Sequence, residues 1–123
     1  MSTKIQIVIV DDHPLFREGV ALTLAKEADI EIVGQGETAD EAVRLVGDYL
    51  PDVILLDVSI PGGGLNAAQR IAAQYPVTHI VMLTVSEEDD DVLAALKAGA
   101  RAYILKGVPG RELIRILRAV CDG

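Results

Sequence analysis

Apolar residues along this chain gather into five short runs that have the length of β-strands. Several of these runs are apolar without a break, which is typical of a parallel sheet, because helices cover both of its faces. The predicted strands cover residues 5–10, 30–34, 53–56, 79–83 and 102–105.

The more polar segments between these runs carry the signals of α-helices. After Pro14, which suits the first turn of a helix, apolar side chains recur at helical spacing up to about residue 26. A Thr-Ala-Asp-Glu capping box begins at Thr38. The predicted helices cover about residues 14–26, 38–50, 66–74, 87–98 and 109–121. Strands that alternate with helices in this way predict an α/β domain with parallel pairing through right-handed crossovers.

Polar residues follow four of the predicted strands directly: Asp11 and Asp12, then Asp57, Thr84 and Lys106. The carboxyl ends of parallel strands meet at one edge of an open sheet, and ligands bind there. Carboxylates brought close together repel each other unless a positive group joins them. The sequence therefore predicts a site for a hard divalent cation and a phosphoryl group.

Most of these residues also have a purely structural explanation. Asp11 and Asp12 precede His13, where acids cap a helix through its free N–H groups and its dipole. On the sequence alone the two explanations of the acid pair are equally good. Thr84 alone is most often an ordinary strand-end residue, and Lys106 alone is most often a solvated charge. His13 could approach the site, but a histidine at a helix start is more often solvated. Asp57 is harder to dismiss, because it follows four apolar residues and a buried carboxylate needs a partner.

The residue types point to phosphoryl transfer, with Asp57 as the predicted nucleophile. A carboxylate can accept a phosphoryl group covalently, giving an acyl phosphate that water later hydrolyses. Such a transfer depends mostly on positioning and on neutralising charge. Lys106 would place its charge on a phosphoryl oxygen, and Thr84 would donate its hydroxyl.

Mg²⁺ is the predicted cofactor, because it prefers oxygen ligands and binds through one or two carboxylates plus phosphate oxygen. Asp12 and Asp57 are its predicted direct ligands, with the carbonyl oxygen of Ser59 as a third. Asp11 would act through a water molecule.

At these residues the chain resembles the receiver domain of two-component response regulators. The acid pair, Asp57, the threonine and the lysine match that family's motif in identity, order and strand position, over nearly the whole chain. Tyr103 matches the family's switch aromatic, which turns inward when the phosphorylated site recruits the threonine. The resemblance implies the flavodoxin-like fold, a doubly wound five-stranded parallel sheet in the order 2-1-3-4-5 with five helices.

Three segments resemble the NarL/FixJ class in particular: Asp-Asp-His-Pro-Leu-Phe-Arg-Glu-Gly from Asp11, Asp-Val-Ser-Ile-Pro-Gly from Asp57, and Tyr-Ile-Leu-Lys ending at Lys106. That class usually carries a LuxR-type helix-turn-helix after the receiver. The resemblance therefore implies a switch that is not an enzyme, a sensor histidine kinase as phosphoryl donor, a homodimer formed on phosphorylation, and control of transcription. We expect residues 1–123 to be the receiver, with the DNA-binding output domain beyond them. A stand-alone receiver that docks on other proteins is the alternative.

Composition limits the function further. The chain has 123 residues, half of them hydrophobic, and a single Cys, so it forms one domain without an internal disulfide. Its net charge of −8 argues against binding nucleic acid through phosphate contacts. No apolar run approaches the roughly 20 residues that a membrane span needs. We therefore expect a cytoplasmic protein that binds neither membrane nor DNA through these residues.

Three other functions fit less well. A phosphatase of the haloacid dehalogenase type needs a second acid two residues after its nucleophile, where this chain has Ser59. A flavin- or nucleotide-binding module needs a phosphate loop rich in Ser, Thr and Gly after the first strand, where this chain has two acids. A receiver-like module that works without phosphorylation has usually lost the acid, the threonine or the lysine, and all three are present here.

Overall fold

Five strands alternate with five helices in the computed structural model, which describes residues 4–85 and 88–122. The strands are β1 (Ile5–Val10), β2 (Ile30–Gly36), β3 (Val53–Asp57), β4 (His79–Thr84) and β5 (Ala102–Leu105). The helices are α1 (Pro14–Ala25), α2 (Ala39–Tyr49), α3 (Gly64–Gln74), α4 (Asp89–Lys97) and α5 (Gly110–Asp122). None of these described helices is long and apolar enough to cross a membrane.

The strands form one parallel sheet in the order β2-β1-β3-β4-β5, which confirms the predicted fold. β1 and β3 lie side by side at the centre, and the chain leaves them toward opposite edges of the sheet. This reversal opens a crevice at the carboxyl ends of β1 and β3, the place where such folds bind ligands.

Two apolar layers, one on each face of the sheet, hold the helices in place. Ile7 and Leu55 belong to the layer that packs against α1 and α5. Val8 and Ile54 belong to the layer that packs against α2, α3 and α4. All four side chains are 0% exposed. Successive strand residues face opposite sides of a sheet, so a sheet covered on both sides requires the unbroken apolar runs seen in the sequence.

Several boundaries differ from the predicted ones. β2 continues to Gly36, because that residue stays paired with Val10 of β1. α3 begins at Gly64, two residues before its predicted start, and its N-cap Gly63 has a φ of 89°. The last helix is displaced by one residue at each end from its predicted bounds. The predicted start of the fourth helix, Glu87, lies outside the described residues.

The capping box at the start of α2 is confirmed, and it ties this helix to the crevice. The hydroxyl of Thr38 accepts a hydrogen bond of 3.1 Å from the N–H of Glu41. The Glu41 carboxylate in turn accepts from the N–H of Glu37 at 3.3 Å, one residue before the cap. The N–H of Ala39, the first residue of α2, donates to the carbonyl of Pro61 at 2.9 Å. The loop that follows β3 is therefore anchored on the start of α2.

Candidate functional site

Asp11 and Asp57 lie side by side at the centre of the sheet. Val10 and Leu56 are paired on adjacent strands, so the two acids that follow them are neighbours. Asp11 is 0% exposed and Asp57 is 2% exposed. Two carboxylates this close in the interior repel each other, and a positive partner offsets that repulsion.

Lys106 brings a positive charge to these acids from the end of β5. Its Nζ lies 2.8 Å from Oδ2 of Asp11 and 3.4 Å from Oδ1 of Asp57. The same nitrogen stands 4.6 Å from the centre of the Phe16 ring, within the range of a cation–π contact. The lysine that follows the edge strand thus reaches back to the centre of the sheet, as the position of its strand end predicted.

Asp12 and Ser59 lie at the rim of the same crevice. The Asp12 side chain is 33% exposed. Ser59 is exposed, and its hydroxyl donates a hydrogen bond of 3.0 Å to Oδ2 of Asp57. The hydroxyl of Ser59 therefore contacts Asp57, the candidate nucleophile. The metal-binding role of the Ser59 carbonyl oxygen remains a prediction.

His13 joins this cluster, which is the less common of the two outcomes expected for a histidine at a helix start. Its backbone N–H donates to Oδ1 of Asp11 at 2.8 Å, a turn that folds the histidine back over the acid. Nδ1 then lies 2.8 Å from Oδ1 of Asp11, 3.3 Å from Oδ1 of Asp12 and 3.7 Å from Oδ2 of Asp57. In the sequence, the only indication of this contact is the Asp-X-His spacing before a helix. That spacing does not determine whether the imidazole ring turns toward the acids or toward solvent.

The cluster has the donor set and the spacing to hold a metal ion. Ligand atoms of Asp11, Asp12, His13 and Asp57 all lie within 4.8 Å of one another. Oδ2 of Asp11 and Oδ1 of Asp12 are buried and accept no hydrogen bond from the described part of the chain. The ammonium of Lys106 balances charge at Asp11 without the alignment of a hydrogen bond. Buried carboxylate oxygens without donors are costly, and they are the ligands that a hard divalent cation prefers.

Arg17 holds the backbone of the acid pair. Its guanidinium donates to the carbonyl of Asp11 at 2.7 Å and pairs with the carboxylate of Glu37 at 3.2 Å. The Arg17 side chain is 16% exposed, so the contact is largely shielded from solvent. The chain direction is thereby fixed between the end of β1 and the start of α1.

Thr84 and Tyr103 lie on the strands beyond Asp57. Asp57 pairs with Leu83, so Thr84 is the next residue along β4, and it is 5% exposed. Thr84 follows Met82 by two residues and shares its face of the sheet. Tyr103 is half-buried and packs against the core on that same face. The two predicted switch residues are therefore placed on one face, next to the strand that carries Asp57.

The loop after β3 closes tightly over the end of that strand. Gly62 and Gly63 have φ angles of 90° and 89°, which glycine adopts without strain. The N–H of Gly64 donates to the carbonyl of Val58 at 3.0 Å. A Cβ on Gly64 would clash with the carbonyl oxygen of Asp57 and would lie 2.7 Å from Cα of Val58. Close backbone approach is thus the reason for glycine at this position.

Comparison with known proteins agrees with this geometry. Residues 7–118 match the response regulator receiver domain. The chain is 42% identical over 123 residues to the transcriptional regulatory protein DegU of Brevibacillus brevis, covering 99% of this chain and 52% of DegU. It is 38% identical over 120 residues to the oxygen regulatory protein NreC of Staphylococcus aureus (strain JH9), covering 96% of this chain and 55% of NreC. The chain thus spans about half the length of these curated relatives.

Solved structures give the same result. A signal receiver domain from Mycobacterium tuberculosis, whose regulator is named NarL, superimposes with a TM-score of 0.95 at 32% identity and 98% coverage of both chains. A LuxR-family two-component response regulator from Aurantimonas sp. SI85-9A1 superimposes with a TM-score of 0.93 at 30% identity, covering 98% of this chain and 87% of that one. The family match extends over most of the chain, and these relatives exceed 30% identity or reach it. The chain therefore belongs to the response regulator receiver domains, in the NarL/FixJ class of two-component response regulators.

Proposed function

We propose that this receiver is a phosphorylation-activated switch in which Asp57 accepts a phosphoryl group from a sensor histidine kinase. The position of Asp57 carries the proposal. It is a buried carboxylate at the central crevice, with Nζ of Lys106 at 3.4 Å and the hydroxyl of Ser59 at 3.0 Å. Such surroundings supply the charge neutralisation and positioning on which phosphoryl transfer depends.

In the transfer, a carboxylate oxygen of Asp57 attacks phosphorus. The new O–P bond forms as the P–N bond to the kinase histidine breaks, and the leaving imidazole nitrogen keeps the electron pair. Lys106 neutralises charge on the phosphoryl oxygens, and the Thr84 hydroxyl donates a hydrogen bond to one of them. Water later hydrolyses the acyl phosphate and resets the switch.

Mg²⁺ is the cation that we propose for the acidic pocket. Asp12 and Asp57 would bind it directly, with the Ser59 carbonyl as a further ligand, and Asp11 would act through water. Bound there, the cation supplies positive charge that offsets the carboxylates and the phosphoryl oxygens. The strand pairing that fixes Asp11 beside Asp57 supports this assignment.

Phosphorylation would be read out through Thr84 and Tyr103. A threonine hydroxyl drawn toward the phosphoryl group vacates space that the aromatic ring can fill, which gives two discrete packings. The surface formed by α4, β5 and α5 would change with them. The placement of Thr84 and Tyr103 on one face of the sheet supports this coupling.

The changed surface would control transcription in the cytoplasm, through a DNA-binding region outside residues 1–123 and a homodimer formed on phosphorylation. The length of the curated relatives and the name of DegU, a transcriptional regulatory protein, support the first part. The domain acts in this proposal as a stoichiometric switch and not as an enzyme that turns over a separate substrate.

Intact-mass measurement with acetyl phosphate tests the assignment of Asp57. We expect the wild-type domain to gain the mass of one phosphoryl group, labile in acid and dependent on Mg²⁺. Asp57→Asn should abolish the gain, because the nucleophilic oxygen is lost. Asp48→Asn, at an exposed acid of α2, is the matched control and should react like the wild type. Full modification of Asp57→Asn at another residue would refute the assignment.

A further inference from the structure

We propose that His13 is a ligand of the metal in this site, so that the crevice binds first-row transition cations such as Co²⁺ and Zn²⁺ through an imidazole nitrogen together with its carboxylates. The inference rests on the proposed cation site. It adds His13 as a fourth ligand and a preference for transition metals over Mg²⁺. Oxygen ligands alone suit Mg²⁺, whereas imidazole favours the later transition metals.

The position of Nδ1 relative to the carboxylates fits a shared ion. Two ligands at adjacent positions around an octahedral ion lie about 3 Å apart, and opposite ligands about 4.2 Å, for bonds of roughly 2.1 Å. Nδ1 lies 2.8 Å, 3.3 Å and 3.7 Å from oxygens of Asp11, Asp12 and Asp57. The ligand atoms of Asp12, His13 and Asp57, and the Asp11 carboxylate that would act through water, all lie within 4.8 Å of one another. That is slightly more than the separation of opposite ligands, and side-chain rotation would bring the direct ligands around one cation.

The hydrogen bonds of Nδ1 conflict with one another in the absence of a cation. At 2.8 Å from Oδ1 of Asp11, the nitrogen must carry a proton to bond that oxygen. At 3.2 Å from Nζ of Lys106, it must offer a lone pair to the ammonium. One ring nitrogen cannot do both. A cation held by the lone pair of Nδ1 and by the carboxylate oxygens removes the conflict, and Lys106 keeps Asp11 and Asp57 as its ionic partners.

Two further observations point to a ligand at this position. Oδ1 of Asp12 is buried and accepts no hydrogen bond from the described residues, and it lies 3.3 Å from Nδ1 of His13. His13 occupies the N-cap of α1, yet its side chain makes no capping hydrogen bond to the helix. The ring is also 59% exposed, so core packing does not explain its orientation. Among the described residues, the polar contacts of the ring are with Asp11, Asp12, Asp57 and Lys106, all in the crevice.

The affinity of untagged protein for Mg²⁺ and for Co²⁺ tests the proposal. We expect His13→Gln to bind Co²⁺ at least about tenfold more weakly than the wild type. Mutation of a residue that only hydrogen-bonds to a metal ligand already lowers metal affinity by about that factor. The Mg²⁺ affinity of His13→Gln should change far less. His79→Gln is the matched control, because His79 begins β4 at the opposite end of the sheet. That variant should keep both affinities.

Nitrogen NMR of the imidazoles with diamagnetic Zn²⁺ reports the bond itself. We expect Nδ1 of His13 to shift on saturation with Zn²⁺ and His79 to remain unchanged. Unchanged Co²⁺ affinity in His13→Gln, an equal loss for both cations, or a His13 resonance that ignores Zn²⁺ would each overturn the proposal. Mg²⁺-dependent modification of Asp57 would survive those results, so they are distinguishable from a failure of the phosphorylation switch itself.

Discussion

The charges of the crevice residues do not balance among themselves. Asp11, Asp12 and Asp57 are close enough to share one metal ion, and Lys106 is the lysine that reaches them, at 2.8 Å and 3.4 Å from two of the acids. An excess of buried negative charge raises the energy of the folded domain. A divalent cation restores the balance, so binding and folding stability should be linked.

Mg²⁺ should therefore stabilise the domain, and Asp12→Asn should remove most of that response. A cation at ~100 times its dissociation constant adds about 2.7 kcal/mol by mass action. Thermal melts with and without Mg²⁺ measure the effect, with Asp48→Asn as the variant that keeps the wild-type response. A wild-type melting temperature that ignores Mg²⁺, with no binding at neutral pH, would contradict the metal assignment.

Gly64→Ala should destabilise the domain by about 1–3 kcal/mol, the usual cost of overpacking. The added Cβ meets the backbone at Asp57 and Val58, which cannot move without displacing the end of β3. Urea unfolding gives the free energy. Gly19→Ala is the control, because a Cβ there meets nothing within 4 Å in the middle of α1. We expect it to be neutral or stabilising, and a Gly64→Ala protein as stable as wild type would show that the loop is not tightly packed.

At this scale the sequence predicted which strand-end residues converge, but not their full surroundings. The acids, Ser59 and Lys106 were found because a parallel sheet brings the ends of its strands to one edge. His13 and Arg17 were not, because their roles depend on a turn at Asp11 and on one helical turn of α1, which orient side chains only after the chain has folded. The chemical roles of all these residues stay predictions.

Among the elements, the strands were the easiest to predict and the start of α3 the hardest. An unbroken apolar run has one stable place in this fold, between two layers of helices. The start of α3 depends instead on Gly63, whose positive φ is set by the way the loop folds back on β3 and on α2. The sequence predicts only a loop at this glycine run, because the conformation of the glycines is determined by contacts with residues that are distant in sequence.

The coupling between β4 and β5 gives a prediction for Thr84→Ala. This variant should still accept a phosphoryl group at Asp57 but lose the change at α4, β5 and α5, because the hydroxyl that would respond to the phosphoryl group is gone. Backbone NMR with and without phosphodonor measures that change. Thr78→Ala is the matched control, a buried threonine that bonds the Pro51 carbonyl at 2.9 Å beside the start of β4 and should keep the response. Wild-type shifts on α4 and α5 in phosphorylated Thr84→Ala would refute the coupling.

For the molecule as a whole, the strand topology determines where the crevice lies, and the net charge determines whether this domain can bind DNA. The reversal of strand order between β1 and β3 creates the crevice, so the site is a consequence of the fold and not of any one loop. The domain carries 19 acidic and 11 basic side chains, which gives its net charge of −8. Acidic surface of this kind repels DNA phosphates, and reading DNA needs a basic stripe or patch.

Residues 1–123 should therefore retain no DNA by themselves, and the DNA-binding part of the protein should lie in sequence beyond Gly123. The curated relatives support a protein longer than this chain, since the chain covers only 52% of DegU and 55% of NreC. Fluorescence anisotropy with promoter DNA at physiological salt tests the first half, with the product of the whole gene as the comparison. Sequence-specific DNA binding by residues 1–123 would contradict the claim that this domain does not bind DNA by itself. Reading the gene past codon 123 tests the second half. A stop codon there would contradict it and leave a stand-alone receiver that acts by docking on other proteins. A reading frame that continues into a helix-turn-helix with a basic recognition helix would place the DNA-binding domain that responds to the phosphorylated surface in the same chain.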